Sequence, residues 1–218
     1  MPQPFFVVFE GGEAAGKSTQ TRLIAAYLVR HGYKVTRVTE PGSTPLGIRV
    51  RRLVKYGSMV ISPMAETMLF LAARTQLVTE VISPALARGD AVVSDRFADS
   101  TLAYQGYGRG LDVANLRRLN AIATGGIVPD LTVLLDIPVE ASIKRRSPRV
   151  TDRFEAELSD TEHGSSNRNF HEDVRQGFLS LAGQNPNKWL VVDATLPLRE
   201  VSRLVRTRVS DVLKQKGT

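Results

Sequence analysis

Cysteine is absent from all 218 residues. That removes disulfides, a thiolate nucleophile and any cysteine-ligated metal, and with them much redox and zinc chemistry. No apolar run reaches the roughly 18 residues that a membrane span requires, and Met1-Pro2-Gln3-Pro4 lacks a charged segment followed by an apolar core. The expectation is a cytoplasmic protein with no membrane partner. Missing too are an internal repeat and a linker rich enough in glycine, proline or serine to divide the chain. One α/β domain over 1–218 is therefore expected, with a small mobile appendage at most. What remains, 42% apolar and 23% charged residues, is a composition that builds a real core.

The net charge is +7, with arginine dominating the basic residues. Arginine binds phosphate bidentately, so the excess points to a polyanionic substrate or to nucleic acid. The basic residues fall in short separate groups, Arg49/Arg51/Arg52, Arg117/Arg118 and Arg145/Arg146/Arg149/Arg153, without the interleaved aromatics of a stacking platform. That distribution favours a small polyanion over nucleic acid, and a solvated surface accounts for part of it.

The stretch that carries chemistry is Gly11-Gly12-Glu13-Ala14-Ala15-Gly16-Lys17-Ser18-Thr19. It reads GxxxxGK[ST] between an apolar run, Phe5 to Phe9, and a helical pattern. In that context it is a phosphate-binding loop rather than a structural turn. Glycines let successive amides point into one concavity, a helix N-terminus adds partial positive charge, Lys17 reaches the outer phosphates, and Ser18 offers a hydroxyl to Mg²⁺. A nucleoside triphosphate with Mg²⁺ is the expected ligand.

Further strand-like runs occur at Lys34 to Val38, Ala91 to Ser94, Leu131 to Leu135 and Leu190 to Val192. They are nearly continuous in apolar residues, as parallel strands covered on both faces are. A doubly wound sheet of about five strands follows, with helices on both faces. The turn-rich Thr39-Glu40-Pro41-Gly42-Ser43-Thr44-Pro45 lies at the carboxyl end of the second strand, where ligands of such sheets sit. On a long helical pattern from about Pro63 to Arg88, Glu66, Phe70 and Arg74 share one face; Phe70 there is either core or a stacking ring. Asp95 and Arg96 end a buried strand abruptly. They form either a capping ion pair or a carboxylate for Mg²⁺ beside a cation for phosphate. Ser100 to Gly106 concentrates polar groups suited to a base or sugar.

Lys144 to Arg153 is the most basic stretch, and Gly12 to Ala15 contain no basic residue, so a lid at about 144–169 is the natural source of a catalytic arginine. Leu158 to Asn169 reads as a loop, followed by a helix from about Phe170 to Leu181. In the final helix Leu198, Val201, Leu204, Val205 and Leu213 are expected to pack on the sheet.

Taken together, Glu40 to Thr44, Ala72-Ala73-Arg74-Thr75-Gln76, Asp95-Arg96-Phe97, Ala103-Tyr104-Gln105-Gly106, Pro129-Asp130-Leu131, Asp152-Arg153-Phe154-Glu155 and Asp193-Ala194-Thr195 resemble bacterial thymidylate kinases, from Phe6 through Ser202. The resemblance implies a P-loop NTPase fold with a short basic lid, and transfer of the γ-phosphoryl group of Mg-ATP to dTMP for dTTP synthesis. It implies that Gly11 to Thr19, Arg145, Asp193 and Thr195 bind ATP, with Ser18 and Asp95 toward the metal. Glu13 would sit beside the acceptor phosphate, Arg96 would clamp it with Arg51 as a lesser candidate, and Glu40, Pro41, Thr101 and Gln105 would also contact the acceptor. Phe70 would stack on thymine, Arg74 would bond the base edge, and Tyr104 would leave no room for a 2′-hydroxyl. Lys17, Arg96, Arg149, Arg153 and Glu13 form the implied catalytic set. A homodimer is implied as well. Three positions depart from the family pattern: Thr39 stands where an arginine is usual, Ser43 replaces a second glycine, and the segment between Glu157 and Phe170 is longer. A kinase for another monophosphate, and a phosphate-loop switch or ATPase that binds protein or nucleic acid, are the alternatives that the residues leave open.

Overall fold

The computed structural model describes residues 3–56, 59–145 and 164–216, the last without the side chains of 164–168. Five parallel strands, β1 (Phe5–Glu10), β2 (Val35–Thr39), β3 (Ala91–Asp95), β4 (Leu131–Asp136) and β5 (Trp189–Asp193), form one sheet in the order β2-β3-β1-β4-β5. β1 is the hub: Phe5 to Phe9 run beside Ala91 to Asp95, and Val7 to Glu10 beside Leu131 to Leu134. The chain moves to one side of β1 for β2 and β3 and to the other for β4 and β5. Such a reversal opens a crevice at the carboxyl edge. At that edge the apolar strand bodies end in Glu10, Thr39, Asp95, Asp136 and Asp193.

Successive β1 residues serve opposite faces, as the pleat demands. Phe5, Val7 and Phe9 meet Ile24 and Leu28 of α1 (Lys17–Arg30) and Val201, Val205 and Val209 of α9 (Leu198–Lys216). Phe6 and Val8 meet Leu77 of α3 (Pro63–Leu77), Ile82, Val92 and Phe97. Each ring so buried contributes roughly 1.5–3 kcal/mol. Toward β4 and β5, a further cluster joins Val50 and Val54 of α2 (Pro45–Tyr56) and Leu116 of α6 (Val113–Thr124) to Phe170, Val174 and Phe178 of α8 (Gly164–Gln184). α4 (Ser83–Ala87), α5 (Ala98–Thr101) and α7 (Val139–Arg145) complete the helices.

Several expectations need correction. The helix expected from Pro63 to Arg88 widens into a π-segment, π1 (Val78–Ile82), before α4. Pro84 lacks the amide that a regular α-turn uses, and a wider turn accommodates it. The helix expected from Phe170 begins at Gly164, so 164–169 are not loop; a helix nucleated by buried Phe170, Val174 and Phe178 propagates into residues of poor intrinsic propensity. Leu198 is 55% exposed and does not pack on the sheet; it is the first residue of α9, ahead of the buried Val201 and Val205.

Candidate active site

β1 delivers the chain into Gly11 with φ near 133°, where a Cβ would lie 2.4 Å from the Leu135 carbonyl oxygen. Only glycine fits there. Ala14 and Gly16 also take positive φ, and α1 starts at Lys17 with no side-chain cap, which leaves its first amides for an anion. Lys17 is buried, and its ammonium donates to the carbonyls of Gly11 (3.1 Å) and Gly12 (2.6 Å). Burial and the nearby Arg96 push its pKa down to about 8, against the pull of Glu13, Asp95 and Glu10. Ser18 Oγ donates to Asp95 Oδ2 at 2.7 Å. Over the loop lies a cavity enclosing about 840 Å³, part of it open to solvent, bounded by residues 13–19, Arg51, Lys55 and Arg145. Arg145 donates to the carbonyls of Ala194 (2.7 Å) and Thr195 (3.4 Å), and Asp193 accepts from the amide and hydroxyl of Thr195. Those bonds hold the Asp193 carboxyl below its usual range. Arg145, Asp193 and Thr195 thus come together beside the loop.

A second, largely apolar cavity enclosing about 510 Å³, also part open to solvent, is lined by Phe70, Arg74, Thr101, Tyr104 and Gln105, with Glu40 and Pro41 beside them. Arg74 is 3% exposed and held by Glu40 Oε2 (2.8 Å), Thr101 Oγ1 (2.9 Å), Asn120 Oδ1 (2.7 Å) and the Phe97 carbonyl (3.0 Å). Burial raises the Glu40 carboxyl against the pull of Arg74, and its Oε1 has no hydrogen-bond partner among the described residues. The two cavities share a wall made of Glu13, Glu40, Lys55 and Arg96.

A sequence model of the thymidylate kinase family matches residues 9–205. The chain belongs to the thymidylate kinase family. Relatives named thymidylate kinase include one from Deinococcus radiodurans, 46% identical over 213 residues, covering 97% of this chain and 98% of the relative. Another, from Dehalococcoides mccartyi strain 195, is 43% identical over 210 residues, covering 96% and 97%. A crystal structure of thymidylate kinase from Ehrlichia chaffeensis superposes with a TM-score of 0.77 at 29% identity, over 96% of this chain and 99% of that one.

Within this thymidylate kinase fold Arg96 is the pivot between the cavities. It adopts φ near 73°, donates through Nη2 to Glu13 Oε1 (2.8 Å) and the Tyr104 hydroxyl (2.9 Å), and lies 4.9 Å over the Tyr104 ring. Burial works against the charge of Glu13, but Arg96 and Lys17 outweigh it and hold the carboxyl well below the usual range. Arg51 faces the loop cavity instead of the apolar one, donating weakly to the Pro41 carbonyl at 3.4 Å. Ser43 takes φ near 61°, the conformation a glycine would hold freely, and its Oγ accepts from the Thr39 amide at 2.9 Å. Arg149 and Arg153, and the longer segment after Glu157 as far as residue 163, lie outside the described residues.

Three residues of the site were not legible. Glu10, fully buried, accepts from the amides of Phe97 (2.8 Å) and Ser100 (3.2 Å) and from Ser100 Oγ (2.6 Å), fixing the turn that carries Arg96. Burial raises its pKa to about 7 against Arg96 and these bonds. A carboxylate ending an apolar strand was its signal, the same one that marks Asp95. Asn120 on α6 and Lys55 on α2 carry no local motif; only tertiary packing brings Asn120 to Arg74 and Lys55 to the wall between the cavities.

Proposed function

We propose that this chain transfers the γ-phosphoryl group of Mg-ATP to thymidine monophosphate, giving the diphosphate and ADP, for dTTP synthesis. The observation that carries the reading is the shared wall. A polar cavity over a phosphate loop and an apolar cavity with a ring and a guanidinium meet at Glu13, Glu40, Lys55 and Arg96. A switch or simple ATPase has no use for the second cavity.

In this reading ATP lays its phosphates along Gly11 to Thr19, with Arg145, Asp193 and Thr195 toward the nucleoside end. Lys17 exchanges its two carbonyl partners for phosphate oxygens, a change favoured because its buried ammonium is underpaired. The acceptor base enters beside Phe70 and Arg74, with Thr101, Gln105, Glu40 and Pro41 around it, and Tyr104 closes the sugar side against a 2′-hydroxyl. Arg96 clamps the acceptor phosphate, Arg51 lends charge from the donor side, and Glu13 orients Arg96. The acceptor oxygen attacks the γ-phosphorus as the bond to the β-γ bridging oxygen breaks. Lys17, Arg96 and the lid residues Arg149 and Arg153 neutralise the equatorial charge.

Mg²⁺ fits the donor set. The Ser18 hydroxyl and Asp95 carboxylate are hard oxygens 2.7 Å apart, and no group of three or more His, Cys, Asp or Glu side chains suited to a metal occurs among the described residues. A hydroxyl and one carboxylate, with phosphates and water, are what Mg²⁺ takes. When bound it supplies charge neutralisation of the phosphates. No helix among the described residues is long and apolar enough to cross a membrane. In this reading the enzyme is cytoplasmic and its partners are nucleotides, not nucleic acid. Met64 and Met68, one turn apart on α3 and 42% and 47% exposed, with Leu46 and Ile48 exposed on α2, support a homodimer.

Coupled ADP release with a panel of monophosphates tests the reaction. Strong turnover with thymidylate is expected; ADP release independent of every acceptor overturns the proposal.

A further inference from the structure

Behind Gln105, at the base end of the apolar cavity, lie Glu66 and Arg109, which the transfer itself does not use. Glu66, 1% exposed on α3, accepts from Gln105 Nε2 at 3.0 Å, and Arg109 Nε stands 3.7 Å from the same oxygen. The Arg109 guanidinium is in turn held 4.5 Å over the Phe170 ring. With its NH₂ donating to Glu66, the Gln105 amide turns its carbonyl oxygen away from that carboxyl. No hydrogen bond reaches that Oε1 among the described residues, and it is not one of the sealed, unpaired atoms; Gln105 lines the cavity.

Arg74 stands on the same wall. Its four hydrogen bonds use four of its five N–H groups, leaving one on Nη2, and a guanidinium never accepts. Both residues line the cavity, so its wall carries one uncommitted donor, on Arg74, and one uncommitted acceptor, on Gln105. The edge of a thymine or uracil ring presents the complement, a carbonyl oxygen beside an imide N–H. Cytosine presents an amino group beside a bare ring nitrogen, wrong on both counts.

We infer that Glu66 is a specificity-positioning residue: by fixing the polarity of the Gln105 amide, it makes the cavity select imide pyrimidine monophosphates against cytidine-type ones. The inference rests on the reading above that this cavity takes the acceptor base.

In the full chain with Mg-ATP, kcat/KM is measured for thymidylate, deoxyuridylate and deoxycytidylate, together with thermal unfolding. Glu66→Gln lets the two amides pair in either direction. The thymidylate-to-deoxycytidylate ratio then falls by about tenfold or more, with deoxyuridylate following thymidylate and the loss carried by KM, because an acceptor facing an acceptor no longer distinguishes the bases. Glu66→Met, of similar length and with only a weakly accepting thioether in place of the carboxylate, makes the same prediction and decides the matter if the first variant does not fold. A ratio unchanged within twofold in a folded variant, or an equal loss for all three acceptors, makes Glu66 structural only and overturns the inference. Failure of the unaltered chain to use thymidylate overturns the functional reading instead, so the two failures are separate.

Discussion

Lys17 and Glu10 are both charged groups that folding has moved into poor solvent, and each leaves a pH signature. With its pKa at about 8, Lys17 is only partly protonated in slightly alkaline solution, and triphosphate binding restores the full charge. Calorimetric titration of Mg-ATP near pH 8 in two buffers of different ionisation enthalpy should therefore show net proton uptake, absent in Lys17→Ala. That variant should also lose at least about 100-fold in kcat while keeping its unfolding temperature, since it removes charge stabilisation from the transferring group and none of the core. For Glu10 the folded pKa of about 7 lies above the ordinary 4.5, so the folded chain binds the extra proton. The stabilisation this gives is full below about pH 4.5 and is lost as pH rises through about 7, on the order of 3 kcal/mol in all. Urea midpoints from pH 4.5 to 7.5 should fall for the unaltered chain relative to Glu10→Gln.

At the level of elements, the π-segment π2 (Leu102–Gly108) carries Tyr104 and Gln105 into the apolar cavity, and its height over the sheet is set by α8. The contact is close enough that a Cβ on Gly177 of α8 would lie 2.7 Å from the Tyr107 ring. Gly177→Ala should cost about 1–3 kcal/mol by overpacking, seen in denaturant midpoints, and should raise KM for the acceptor through the displaced π2. Helix α3 does a different job: Leu77 packs under the sheet, Phe70 and Arg74 line the cavity, and Met64 and Met68 face solvent. Phe178→Ala, deep between α8 and the sheet, should destabilise by about 3–5 kcal/mol without changing acceptor preference.

For the whole molecule, the exposed methionines of α3 predict a dimer at micromolar concentration by sedimentation velocity, and Met64→Lys with Met68→Lys should convert it to monomer while the unfolding temperature of the monomer is kept. Arg153→Ala should depress kcat far more than it raises KM for thymidylate, as a cation acting on the transferring group does; a collapse of acceptor affinity at unchanged kcat would make Arg153 a binding residue.

The sequence by itself determined the sheet, the phosphate loop and the order of the parts, because those depend on local signals: near-continuous apolar runs that only doubly covered strands tolerate, and glycines followed by Lys17 at a helix start. It marked Phe70 and Arg74 as one helical face, but not that Arg74 would be bound by Glu40, Thr101 and Asn120 at once, nor that Glu66 would meet Gln105, since those partners lie between 27 and 46 residues away along the chain. Tertiary structure alone decided that Glu10, at the end of β1, would fasten the turn holding Arg96, because the pairing of β1 with β3 sets their carboxyl ends side by side. It also decided that the two cavities share one wall. That follows from the sheet order, which places β1 between β3 and β4 and gathers the ends of separate strands at a single edge.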